Sequence, residues 1–333
     1  MSKKFLFFLL FPSLLLFFTS CSDDDEDLIG NWVKSSDFEG VGRGDASSFV
    51  VDNKVYVFGG YDGKKRLKDI WEYNFDQGYW TQKAEFTGVA RSAAVAFAIS
   101  DKGYIGTGYD GEKYLQDFWE FDPTNNIWTQ KANFRGSARY GATAFSIGGM
   151  GYIGTGYDGN YLMDFHKYNP ATDIWEESVS IKGSKRAFAT SFIVNDKAYV
   201  VCGMNNGSYV TDFWAFDPTT SLWEEKAQIA NKTDNDFDDD YTTINRLNTV
   251  SFVIDGKAYI ATGEAGSLVK NTWEYNPITD RWKEKTAFEG TARSAAVAFA
   301  VKDRGFVLTG RSSSYYFDDM WEFKPNEEYN EYD

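Results

Sequence analysis

The sequence predicts an all-β fold in which six sheets of four antiparallel strands form the blades of a six-bladed β-propeller. Three observations carry this. Gly60, Gly108, Gly156, Gly203, Gly263 and Gly310 recur at steps of 48, 48, 47, 60 and 47 residues, and a steady period of about 50 residues is the length of one blade. Arg43, Arg91, Arg139, Arg186, Arg246 and Arg293 keep the same step, and Trp32, Trp80, Trp128, Trp175, Trp223 and Trp282 recur at 48, 48, 47, 48 and 59 residues. Between these markers lie short β-prone runs and turn pairs, with no amphipathic helix of useful length outside the first 21 residues.

The second unit shows the strands in order. Phe97-Ala98-Ile99 and Gly103-Tyr104-Ile105-Gly106 are β-prone runs split by the turn Ser100-Asp101-Lys102. Asp110-Gly111 is a strong turn pair. Phe118 to Asp122 alternates, which places Trp119 and Phe121 on one face. Pro123-Thr124-Asn125-Asn126 turns the chain again before Ile127-Trp128-Thr129. These are strands a, b, c and d of a meander. The high aromatic content, 18%, is expected to fill the space between facing blades.

The two ends complete each other. Trp32 stands 11 residues before Arg43, as Trp80 stands before Arg91, so it belongs to a d strand with no a, b or c before it. The last unit has a, b and c strands but no tryptophan after Phe323. Asn31-Trp32-Val33-Lys34 is therefore expected to supply the outer strand of blade six, closing the ring and removing two exposed edges. The propeller is expected to span 31–325, followed by an acidic tail over 326–333.

Gly59-Gly60, Tyr73, Trp80 and their echoes resemble the kelch-repeat propellers, over roughly residues 31–325. The family's double glycine survives only in unit one, and Thr107, Thr155, Cys202, Thr262 and Thr309 take its first place afterwards. Those residues are still small, as a crowded position near the axis requires.

Residues 1–21 read as a leader: Lys3-Lys4, an apolar run from Phe5 to Phe18, then Thr19-Ser20-Cys21. The run is too short for a comfortable membrane span and fits a secretion signal. Its end resembles the lipobox of bacterial lipoproteins, which implies lipidation at Cys21 and attachment to a membrane. The linker over 22–30 opens with Ser22-Asp23-Asp24-Asp25-Glu26-Asp27, a self-repelling spacer. It also resembles the acidic tag that exports some lipoproteins, so the expected location is the exposed face of an outer membrane. Net charge is −15, or 32 − 49 = −17 once Lys3 and Lys4 leave with the leader, which argues against a nucleic-acid partner. Cys202 is the second of two cysteines and is expected to pack as a small apolar residue.

Strand parity places the d–a and b–c loops on one rim, the top. The resemblance implies that the first series, Arg43, Arg91, Arg139, Arg186, Arg246 and Arg293, lines a top pocket with Tyr61, Tyr109, Tyr157, Met204, Glu264 and Arg311. Converging guanidinium forks would suit carboxylates or phosphates, and tyrosines would suit sugar faces. A structural alternative pairs each arginine with a nearby loop acid such as Asp62, Asp110 or Asp158. Blades one to three share Tyr-Asp-Gly, whereas blades four to six carry Met204-Asn205-Asn206, Glu264-Ala265-Gly266 and Arg311-Ser312-Ser313. Blade five adds an insertion, with 23 residues between Trp223 and Arg246 where the other units have 11. The insertion, rich in carboxylates from Asp234 to Asp240, is expected to overhang the top as a solvated flap. It has Asp239 and Asn245 where a calcium loop of the helix–loop–helix type needs glycine and a final acid.

His166 is the sole histidine and occupies the strand-c place of Trp71, Trp119, Trp214, Trp273 and Trp321, so it is expected to pack. One histidine leaves no route to the copper site of kelch-like galactose oxidases or to a Ser-His-Asp triad. No cofactor or metal is expected. The principal expectation is a monomeric, non-catalytic surface lipoprotein whose top face binds a glycan or a protein segment. The alternative rests on similarity of layout to kelch mutarotases that interconvert sialic acid anomers, with Glu264 and Arg246 as acid/base and carboxylate holder.

Overall fold

The computed structural model describes residues 28–332, so the leader, Cys21 and most of the acidic linker lie outside the described residues. Six four-stranded antiparallel sheets form a ring. In blade two the strands are Val95–Ile99, Lys102–Gly106, Phe118–Asp122 and Ile127–Lys131, within one or two residues of the sequence expectation. Their turns use left-handed residues, Ser100 at φ 53° and Asn126 at φ 56° among them.

The seam is where the ends predicted it. Asn31–Lys34 pairs antiparallel with Met320–Lys324, Trp32 facing Phe323. Trp32 is fully buried, donates its indole N–H to Thr272 Oγ1 at 3.2 Å and packs on Phe252, Phe288 and Phe323. Leu28 and Ile29 then leave along the outer wall beside Thr286 and Tyr329.

The core lies between neighbouring blades rather than within one. Between blades one and two, Phe49, Tyr56, Phe58 and Phe86 meet Ile105 and Phe121, with Trp119 and Trp128 at the margin. Tryptophans of strand d also stitch blades together, as when Trp128 Nε1 donates to the Ala84 carbonyl at 3.0 Å.

Two rings of backbone hydrogen bonds run around the axis. Each second glycine donates to the next arginine's carbonyl, from Gly60 to Arg91 at 2.9 Å through to Gly310 and Arg43 at 2.8 Å. A tighter belt links Asp45, Ala93, Gly141, Phe188, Asn248 and Ala295, each donating to its predecessor at 2.8–3.1 Å, with Asp45 closing the circle on Ala295. All six belt residues are left-handed, with φ between 49° and 59°.

The insertion departs from expectation. It does not stand over the top: Tyr241 and Ile244 are buried among Phe213, Trp273 and Trp282 between blades four and five. Tyr241 Oη accepts the Trp282 N–H at 2.7 Å, and Arg281 lies over the Phe237 ring. The apolar residues inside the acidic string outweigh its charge and pull it against the outer wall. Asp238 is buried with its carboxylate taking the Lys232 and Thr233 N–H groups and the Thr233 hydroxyl.

Candidate functional site

The arginine series builds the walls. All six side chains are 0–1% exposed. Arg91 spans Asp117 with two hydrogen bonds of 2.7 Å, donates to the Thr107 carbonyl at 3.0 Å, and through Nε to Val89 at 3.0 Å. Arg43 repeats this with Asp69 and Gly59, Arg139 with Asp164 and Thr155, and Arg293 with Asp319 and Thr309. Arg186 pairs with Asp212. The expected lining of the opening by these arginines is thereby corrected, and so are their partners: the acids begin strand c and are not Asp62, Asp110 or Asp158, of which Asp62 and Asp110 cap their own loops. The same carboxylates accept the strand-c indoles of Trp71, Trp119, Trp214 and Trp321, and His166 Nε2 takes the equivalent place 3.0 Å from Asp164. Burial alone would raise Asp69 and Asp117, but the arginine and indole donors more than offset it and hold both below the usual carboxylate value.

Blade five lacks this pair. Asn271 stands where the others have aspartate, so Arg246 donates to the Thr262 and Asn271 carbonyls and to no carboxylate, and burial lowers its pKa to about 10. Its side chain is 0% exposed and does not meet a ligand alongside Glu264, which corrects that pairing.

The arginine also explains the degenerate double glycine. Gly59, Thr107, Thr155, Cys202, Thr262 and Thr309 all sit at φ 57–68°, and each carbonyl accepts from its blade's arginine. The clamp holds a left-handed conformation that β-branched threonine resists. At the second place φ is 92–103°, and a Cβ at Gly60 would lie 2.8 Å from the Gly44 carbonyl oxygen. Only glycine fits there. Cys202 is fully buried, its thiol donates to the Ile244 carbonyl, and burial pushes its pKa up to about 11.

The other predicted series does reach the rim. Tyr61, Tyr109, Tyr157, Met204, Glu264 and Arg311 each pair with the residue after an arginine, Gly44, Ser92, Tyr140, Ala187, Leu247 and Ser294 in turn. They surround an axial mouth of about 140 Å³ lined by the belt residues. The rim has two unlike halves. Over blades one to four it is aromatic and half-buried. Tyr61 meets Tyr316, Arg66 lies over both Tyr61 and Tyr109 at 5.3 and 4.5 Å, and Tyr114 stacks on Tyr140 at 5.0 Å. Tyr140 leads on to Tyr157 and to Phe188, and Tyr157 to Tyr161. Phe188 lies over Gly141, where a Cβ would come within 2.6 Å of its ring.

Over blades five and six, and at Asp45 where they meet blade one, the rim is charged. Arg311 Nε is 3.4 Å from Asp45, and Ser294 donates to Glu264 at 2.6 Å. Burial raises the Asp45 carboxyl, and nearby Glu264 adds to this against the lowering pull of Arg311. Asp45, Arg66, Tyr114, Tyr140 and Phe188 were missed by the sequence reading. Tyr140 directly follows Arg139, and Tyr114 faces Tyr109 across its loop, so alignment of the units would have found both.

Comparison with known proteins supports this architecture. A model of the KLHDC2/KLHL20/DRC7 Kelch-repeats domain matches residues 32–186, and one of the Kelch motif matches 185–228. No curated protein matches the chain. Among solved structures, that titled "Structure of YjhT" is similar with a TM-score of 0.70 at 14% identity, covering 86% of this chain and 96% of that one. At that identity the likeness concerns the fold.

Proposed function

We propose that this chain of kelch repeats is a non-catalytic surface lipoprotein whose propeller top binds a glycan. The observation that carries this is the open rim of half-buried tyrosines, held in place by their own ring contacts. Tyrosine faces take the apolar face of a sugar while their hydroxyls stay wet, and pre-set rings spare the ordering cost of binding. A protein segment fits less well. The rim's backbone groups are spent on one another, as in the Ser92–Tyr109 and Tyr140–Tyr157 pairs, and offer no free edge to an extended peptide. The chain enters the ring at its outer perimeter, so a tether at Cys21 would leave the mouth unobstructed. A glycan array and a pulldown with the mature domain test the reading. Binding lost in Tyr140→Ala supports it, and a footprint on the blade sides sinks it. Cys21→Ala should abolish lipid labelling.

The charged half of the rim supports a second reading, interconversion of sugar anomers. Glu264 would act as acid/base with Arg311, in place of the buried Arg246, holding an anionic group. Anomer exchange followed by NMR and lost in Glu264→Gln supports it, whereas a rate no faster than buffer removes it.

A further inference from the structure

Resting on the glycan reading, we infer that the ligand is an extended oligosaccharide lying along the tyrosine arc of blades one to four, not a single sugar held at the axis. The lining decides between the two. The axial mouth holds about 140 Å³ and continues into a deeper space of about 210 Å³ lined by alanine, serine, threonine and valine. Phe188 is the one aromatic side chain in that lining, so a sugar at the axis would find a single ring to stack on. The aromatic faces instead continue sideways. Tyr109, Tyr114, Tyr140, Tyr157 and Tyr161 form a path of ring neighbours 5.0–6.2 Å apart, and Arg66 links its near end at Tyr109 to Tyr61. The rings meet at angles from stacked, at Tyr114 and Tyr140, to perpendicular, at Tyr140 and Tyr157, so an extended chain of sugars would engage them one ring at a time.

Arg66 marks one subsite along that path. It makes no ion pair among the described residues, in contrast to the arginines of five blade walls, and its guanidinium is held over two tyrosine rings. Gly111 keeps the ground beneath it clear, since a Cβ there would fall 2.7 Å from Arg66 Nη1. Its charge reaches Asp45 and Asp110 without closing an ion pair on either, and the terminal donors of its rigid fork suit a sugar's vicinal hydroxyls or its acidic substituent.

The test uses the mature protein and arrayed glucan and oligouronate ladders of one to eight units. Affinity is expected to climb on the order of tenfold for each further aromatic face engaged, then to level off. Tyr114→Ala and Tyr157→Ala should each flatten that climb, with thermal unfolding unchanged as the control for folding. Arg66→Lys should weaken uronate chains more than glucan chains. Equal affinity for one unit and for four overturns the arc while leaving glycan binding intact. Capture of an extended peptide with no ladder bound at any length overturns both.

Discussion

Asp69 holds the Arg43 guanidinium with both carboxylate oxygens, at 2.7 and 2.8 Å, and takes the Trp71 indole N–H at 2.8 Å with one of them. Five of the six buried wall arginines are matched by such an acid, and Arg246 is matched by carbonyls instead. Replacing the acid strands the charge. Asp117→Ala is expected to cost about 3–5 kcal/mol, the usual penalty for breaking a buried pair, read as a fall in the thermal midpoint. Loss of glycan binding without loss of stability would mean that Arg91 meets ligand after all.

Acid should weaken the same clamps. Asp69, Asp117, Asp164 and Asp319 are held below their ordinary values in the folded state. A depressed carboxylate contributes stability that is complete above its unfolded value, about 3.9, and is lost as pH falls through the folded one. The melting temperature is therefore expected to stay level down to about pH 5 and to drop steeply below about pH 4. A midpoint insensitive to pH in that range contradicts the assignment.

Asp45 runs the other way. Its carboxyl is raised by burial, so ionising it costs stability as pH rises from the unfolded value through the folded one. Asp45→Asn should melt higher than the parent at pH 7, with the gap closing toward pH 4. A gap of constant size would show that the effect is not ionisation.

The left-handed threonines make a paired prediction. Thr107 pairs a β-branched side chain with φ 57° and a buried hydroxyl without a partner. Thr107→Gly is expected to add about 1 kcal/mol. Gly108→Ala, one residue on, should cost more than that gain, because its Cβ would press on Ser92 and Ala94. Urea unfolding of the two variants checks both signs.

Closure through Trp32 is tested by Trp32→Ala, expected to cost about 3–5 kcal/mol as a buried large aromatic. A deletion ending beyond Lys34 should leave blade six with three strands and an exposed Met320–Lys324 edge. Aggregation of the truncated chain, followed by light scattering, is the expected result.

The ring itself was legible because a blade is a local object, and its turns, strands and tryptophans repeat in register. The clamps were also written in the chain. The acids follow their arginines by 26, 26, 25, 26 and 26 residues, and blade five breaks the pattern with Asn271. They were missed because proximity along the chain favoured Asp62 and Asp110, whereas the carboxylates that meet the arginines stand at the start of strand c, as Asp69 does. The direction in which Arg91 and Tyr109 point could not come from parity, which orders loops and leaves side-chain depth open. The insertion misled for a related reason: its charge was conspicuous, and the burial of Tyr241 and Ile244 depends on a partner surface formed by two other blades.

Trp32 meets a partner 291 residues farther along, at Phe323. During synthesis the first strand of the domain must therefore wait, unpaired, until Met320–Lys324 has emerged. The final step of maturation is then the docking of the beginning onto the end.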